Sequence, residues 1–112
     1  MDHSTTPKFY GRRYGRPLNE GRQQALEEIS NLYGIGVDIE NTPLGSLDPF
    51  SFFDDQKISQ IWLEVGFGNG EHLVAQALKH PEIGFIGCEP FINGVSALCK
   101  SIQEENITNI RI

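Results

Sequence analysis

The hydrophobic spacing changes character midway along the chain. Between Asn19 and Gly34, Leu26, Ile29, Leu32 and Tyr33 fall on one stripe at helical spacing. Asn19 can cap the start and Gly34 supplies the stop, so an amphipathic helix is predicted there. Residues 35–57 lose that period. Pro43, Gly45, Pro49 and the acidic run FFDDQ read as a connector with one short helical turn, pinned to a core by Phe50, Phe52 and Phe53. From residue 58 the pattern alternates between two kinds of segment. ISQIWLEVG (58–66) is rich in branched and aromatic residues and ends on glycine, which predicts a strand. GEHLVAQALKH (70–80) carries Leu73, Val74, Ala77 and Leu78 on one helical stripe and stops before Pro81. IGFIGCE (83–89) predicts a second strand. FINGVSALCKSIQEEN (91–106) predicts a helix through Phe91, Val95, Leu98, Cys99 and Ile102, and ITNIRI (107–112) opens a third strand.

This β-α-β-α-β order predicts an α/β fold with a parallel sheet and crossover helices. In a doubly wound sheet the first strand is central, with neighbours on both sides. The strand at 59–65 would lack one of them, so the expectation is the N-terminal part of a longer protein. Three segments follow: a basic arm at 1–18, a helix and connector at 19–57, and an incomplete sheet domain at 58–112.

Composition narrows the class. A chain of 112 residues with 38% hydrophobic and 21% charged side chains is globular and at most one domain. No apolar run approaches the roughly 20 residues that span a bilayer, and the N-terminus lacks the apolar core of a secretory signal. Cys88 and Cys99 have no metal or redox spacing, and read as reduced, partly buried thiols of a cytoplasmic protein. His3, His72 and His80 also lie at no ligand spacing, so no metal is expected. The net charge of −6 disfavours nucleic acid until its distribution is examined. Residues 1–22 hold five basic against two acidic side chains, whereas the other ninety hold four against thirteen. Phe9, Tyr10 and Tyr14 interleave with Arg12, Arg13 and Arg16 in that basic arm.

The chemistry concentrates in LEVGFGNGEHL, residues 63–73, which places Gly66, Gly68 and Gly70 between a strand and a helix. A tight turn without a ligand would also use glycine, but the strand before and the helix after favour a nucleotide-binding loop. The dinucleotide fingerprint GxGxxG/A needs a small third residue for helix–strand packing, and that position here is Glu71. A pyrophosphate would also be repelled by Glu64 at the mouth of the loop. S-adenosylmethionine carries a sulfonium and an ammonium instead, and Glu64 is placed to accept hydrogen bonds from the ammonium. Glu89 ends the second strand 23 positions after Gly66. A carboxylate about 20 residues on grips ribose hydroxyls in nucleotide-binding folds, a feature shared by both ligand classes.

FYGRRYGRPL, RQQALEE, LEVGFGNGEHL and GFIGCEPFINGV, in this order, resemble the start of a bacterial tRNA (guanine-N7-)-methyltransferase. The likeness runs from about Lys8 to Ile112 and leaves only the connector outside it. It implies a Rossmann-like class I S-adenosylmethionine-dependent methyltransferase fold, truncated after the third strand. The implied cofactor positions are Glu64, Gly66, Gly68, Asn69, Gly70, Glu89 and Pro90, with Asn93, Gly94 and Val95 opening the next helix. Arg12, Arg13 and Arg16 match a basic segment that touches tRNA or folds over the cofactor. The implied substrate is a guanosine in the tRNA variable region. The family's acidic and aromatic motifs that bind and align the base lie past Ile112. No catalytic residue is therefore assigned within the chain, and the 112 residues alone are expected not to turn over. The expected partner is tRNA, without membrane or metal, and oligomeric state is not specified. Two rival classes stay open: an NAD-dependent oxidoreductase, disfavoured by Glu64 and Glu71, and a non-catalytic RNA-binding or scaffold fragment.

Overall fold

Three parallel strands form the centre of the computed structural model, which describes residues 15–36, 41, 45–54 and 57–112. Strand β1 (Gln60–Val65) leads into helix α2 (Glu71–Lys79), β2 (Ile83–Cys88) into α3 (Ile92–Glu105), and α3 into β3 (Ile110–Arg111). The sheet order is β1-β2-β3, with Glu64 opposite Gly87 and Phe85 opposite Ile110. Helix α1 (Glu20–Tyr33) precedes them and packs on α3. Its start is fixed by Asn19, whose side-chain oxygen accepts from the Arg22 N–H at 2.8 Å.

Each predicted element is present, and the shifts in burial have local causes. The buried positions of α1 are Ala25 and Ile29, with Leu26 and Tyr33 half-buried, while Leu32 remains 62% exposed. Leu32 is thus the one residue of the predicted stripe that faces solvent. Phe53 alone of the three connector phenylalanines is buried; it lies over Gly84, where an added Cβ would come within 2.8 Å of its ring. The single helical turn is the 3-10 turn Pro49–Phe52, capped by Asp48.

The two outer strands differ. At β3, the Ile112 N–H donates to the Tyr33 carbonyl at 3.1 Å and the Ile35 N–H donates back to Ile112 at 2.6 Å. The chain leaving α1 thus covers that edge. At β1, pairing is with β2 alone among the described residues. Leu63 and Val65 share one face of that strand and are 64% and 74% exposed.

Two buried polar side chains hold the frame. The Asn109 amide N–H groups reach the carbonyls of Ala77, His80 and Ile83 at 2.9–3.1 Å, tying the end of α2 to the sheet. Arg111 lies against the rings of Tyr33 and Phe53, 4.3 and 4.7 Å from their centroids, and donates to Phe52 O, Thr108 O and Ile110 O. Burial lowers its pKa from the ordinary value, against the opposing pull of Tyr33 and Asp54. The cysteines separate: Cys99 is buried in α3, whereas Cys88 is exposed at the end of β2, so the expectation of two partly buried thiols is corrected.

Candidate functional site

β1 and α2 are joined by a loop in which Gly66, Gly68 and Gly70 have φ of 77°, 64° and 83°. That left-handed region is costly for residues with a side chain, which accounts for three glycines in five positions. Their surroundings then divide them. A Cβ on Gly70 would come within 2.7 Å of Leu98, so this glycine serves helix packing. Around Gly66 and Gly68 no atom lies within 4 Å of the added Cβ, so their main chain borders open space.

The loop is clasped from the β2 side. The Gly66 N–H donates to the Cys88 carbonyl at 2.7 Å, and Gly68 N–H donates to Glu89 Oε1 at 2.7 Å. The other Glu89 oxygen accepts from the Phe91 N–H at 3.1 Å, at a helix start with no side-chain cap of its own. One carboxylate thereby joins the glycine loop to α3. An ionised carboxylate offers about four acceptor sites, so lone pairs remain for a ligand's hydroxyls. Gly94 completes the clasp. A Cβ there would collide with the Gly68 carbonyl oxygen, a contact that only glycine permits. The family resemblance puts Gly94 in the stretch that opens α3 and gives it no role of its own. The available signal was its cost, since glycine inside a helix gives up about 1 kcal/mol relative to alanine.

Glu64, next to last in β1, and Glu89, just past β2, thus stand at the carboxyl ends of neighbouring strands. No lysine or arginine occurs between Lys57 and Lys79, so the loop offers a diphosphate no cationic side chain of its own. Asn69, exposed, lines a cleft of about 320 Å³ with Phe67, Gly70, Glu71 and His72. Pro90 is exposed between Glu89 and Phe91. Neither glutamate lines this cleft.

Of the basic arm, Arg12 and Arg13 lie outside the described residues, and Arg16 is exposed. Asn93 fixes the main chain there. Its Oδ1 accepts from Gly15 N–H at 2.7 Å and its Nδ2 donates to the Arg16 carbonyl at 2.7 Å. Among the described residues no group of histidine, cysteine and carboxylate side chains is arranged to hold a metal, and no helix is long and apolar enough to cross a membrane.

A parallel sheet with crossover helices and a left-handed glycine loop after its first strand is the start of a Rossmann-like fold. Residues 58–112 match the family described as "Putative methyltransferase". Likenesses to individual proteins run over more of the chain. The chain is 42% identical over 106 residues to the tRNA (guanine-N(7)-)-methyltransferase of Paracoccus denitrificans, covering 93% of this chain and 45% of that protein. It is 44% identical to the Rhodospirillum rubrum enzyme of the same name (94% and 40%) and 41% identical to that of Agrobacterium fabrum (96% and 44%). These likenesses extend over nearly all of this chain, which spans less than half the length of these relatives.

Proposed function

We propose that this chain is the cofactor-binding part of a cytoplasmic S-adenosylmethionine-dependent tRNA methyltransferase, acting on N7 of a guanosine in the tRNA variable region. The observation that carries the reading is the exposed main chain at Gly66 and Gly68, held open by left-handed glycines between two carboxylates. Bound there, S-adenosylmethionine supplies a methyl group on a cationic sulfur. Glu64 accepts hydrogen bonds from the ligand's ammonium, and Glu89 uses its free lone pairs for ribose hydroxyls while its occupied ones hold the loop. Gly66 and Gly68 let the backbone approach closely, and Asn69 and Pro90 border the ligand.

The target atom asks little of the protein. Guanine N7 has a lone pair and no proton, and it lies on the major-groove edge of the base. No general base is required, and the remaining work is alignment of the acceptor and exclusion of water. None of the described residues is assigned to bind the base, so the 112 residues alone are expected to bind cofactor without turnover. Arg12, Arg13 and Arg16 supply positive charge for tRNA on an otherwise acidic chain.

Calorimetric titration of the chain with S-adenosylhomocysteine, and separately with NAD, tests this reading. Saturable heat with the first and none with the second is expected. Binding of NAD alone would replace the methyltransferase reading with the dinucleotide one, and binding of neither would favour a scaffold.

A further inference from the structure

A second cleft, of about 430 Å³, lies at the start of α3. Its walls include Arg16, Arg22, Asn69, Phe91 and Asn93. Three features set it apart from an ordinary surface hollow. First, among the described residues neither guanidinium makes an ion pair, although the chain has an excess of carboxylates. Second, Arg22 sits in the first turn of α1, where a cation works against the helix dipole and gains nothing for the helix itself. Third, the wall that carries Arg16 is built. Both hydrogen-bonding ends of the Asn93 amide hold the main chain of Gly15 and Arg16, 78 and 77 positions away in sequence. Gly15 fits under Phe91 because it has no side chain, an added Cβ coming within 3.0 Å of that ring.

Asn69 lines this cleft and the one beside the glycine loop alike, so the two are neighbours. A charged group held at Arg16 and Arg22 would therefore lie next to the proposed methyl donor. Guanidinium pairs recognise phosphate in the plane of two N–H donors, and RNA presents phosphates beside any base it offers.

We propose that this cleft binds a backbone phosphate of the RNA substrate through Arg16 and Arg22, and that Asn93 is the positioning residue that keeps the Arg16 wall in place. The inference rests on the tRNA-methyltransferase reading and adds to it a site, a ligand group and the residue Arg22.

The test is fluorescence anisotropy of labelled tRNA with the 112-residue chain across a salt series, in parallel with S-adenosylhomocysteine calorimetry. Arg22→Gln and Arg16→Gln should each weaken tRNA binding about fivefold near 0.1 M salt, and each should lower the salt slope by about 0.7–0.9, the loss of one phosphate contact. Affinity for S-adenosylhomocysteine should not change in Arg22→Gln. Asn93 needs a readout that structure alone would not move. Asn93→Asp keeps the acceptor for Gly15 but puts an anion in the cleft, whereas Asn93→Ala removes the clamp. Hydrogen exchange of the Gly15 amide should accelerate more in Asn93→Ala, while tRNA affinity should fall further in Asn93→Asp. If both orders ran the same way, the role of Asn93 would be structural only and the phosphate assignment would fail. Unchanged tRNA affinity and slope in both arginine variants would also overturn it, with the broader reading intact. Saturable binding of inorganic phosphate with no effect of Arg22→Gln on tRNA would assign the cleft to a free anion and overturn it too. If the unmodified chain bound S-adenosylhomocysteine but no tRNA, the RNA reading itself would fall and carry this proposal with it.

Discussion

β1 and β2 are the same length and comparably apolar, QIWLEV beside IGFIGC, yet they experience different environments. β2 is buried at four of six positions, has a strand on each side, and is covered by α2 and Phe53. β1 has no fully buried position, with Leu63 and Val65 largely in solvent. Hydrophobic sequence states what a residue can bury, and neighbours decide whether it does. The functional consequence follows from where each region holds the site. The β2 side supplies the fixed half through Glu89, Gly94 and the Cys88 carbonyl, and β1 brings Glu64 on an open edge.

The largest effect should come from breaking the fixed half. Gly94→Ala drives a methyl group into the Gly68 carbonyl, which has no flexible side chain to yield. Overpacking costs about 1–3 kcal/mol, occasionally more, and a backbone clash belongs at the upper end. Urea denaturation should show that loss, and S-adenosylhomocysteine binding should disappear. Glu89→Gln keeps the shape and removes the charge. Hydrogen bonds to charged groups contribute about 1.5–3 kcal/mol, so calorimetry should show roughly 10- to 100-fold weaker binding.

A milder contrast separates the two cysteines. Burial pushes the Cys99 thiol up to about 11 from 9.0, its own backbone hydrogen bond opposing only in part. A folded-state pKa above the unfolded value favours the protonated form, so this stabilisation is complete below pH 9 and is lost as pH rises toward 11. The melting temperature should fall across that window, and less steeply in Cys99→Ala. Thiol reagents at neutral pH should modify Cys88 in the native protein and reach Cys99 only on unfolding. The smallest effect is expected at the open strand. Leu63→Ser should shift stability by no more than about 0.5 kcal/mol, because a largely exposed side chain has little to lose. A loss of several kcal/mol there would mean that the chain covers β1 in solution, and the contrast between the strands would dissolve.

Sequence made the element order legible because period, caps and glycines all act locally. Asn19 as a cap and Gly66, Gly68 and Gly70 as a left-handed loop depend only on their immediate neighbours. Contacts between distant segments left weaker traces. The burial of Arg111 under Tyr33 and Phe53 had no local signal beyond a charge inside an apolar strand. The Asn93 clamp on Gly15 and Arg16, and the fit of Gly94 against Gly68, required the fold to bring the segments together. That Glu64 and Glu89 lie toward the carboxyl ends of neighbouring strands was readable from the strand pattern, but the attachment of Glu89 to Gly68 and Phe91 was not.

The central claim is that bare main chain at Gly66 and Gly68, between two carboxylates, receives a methyl donor and not a diphosphate. Amide chemical shifts of those two glycines, followed by NMR during separate titrations with S-adenosylhomocysteine and with pyrophosphate, address it directly. The account predicts saturable shifts at both glycines with the first ligand, and none at Gly66 with the second, which would seat in the arginine cleft beside Asn69. Movement with pyrophosphate alone would contradict it.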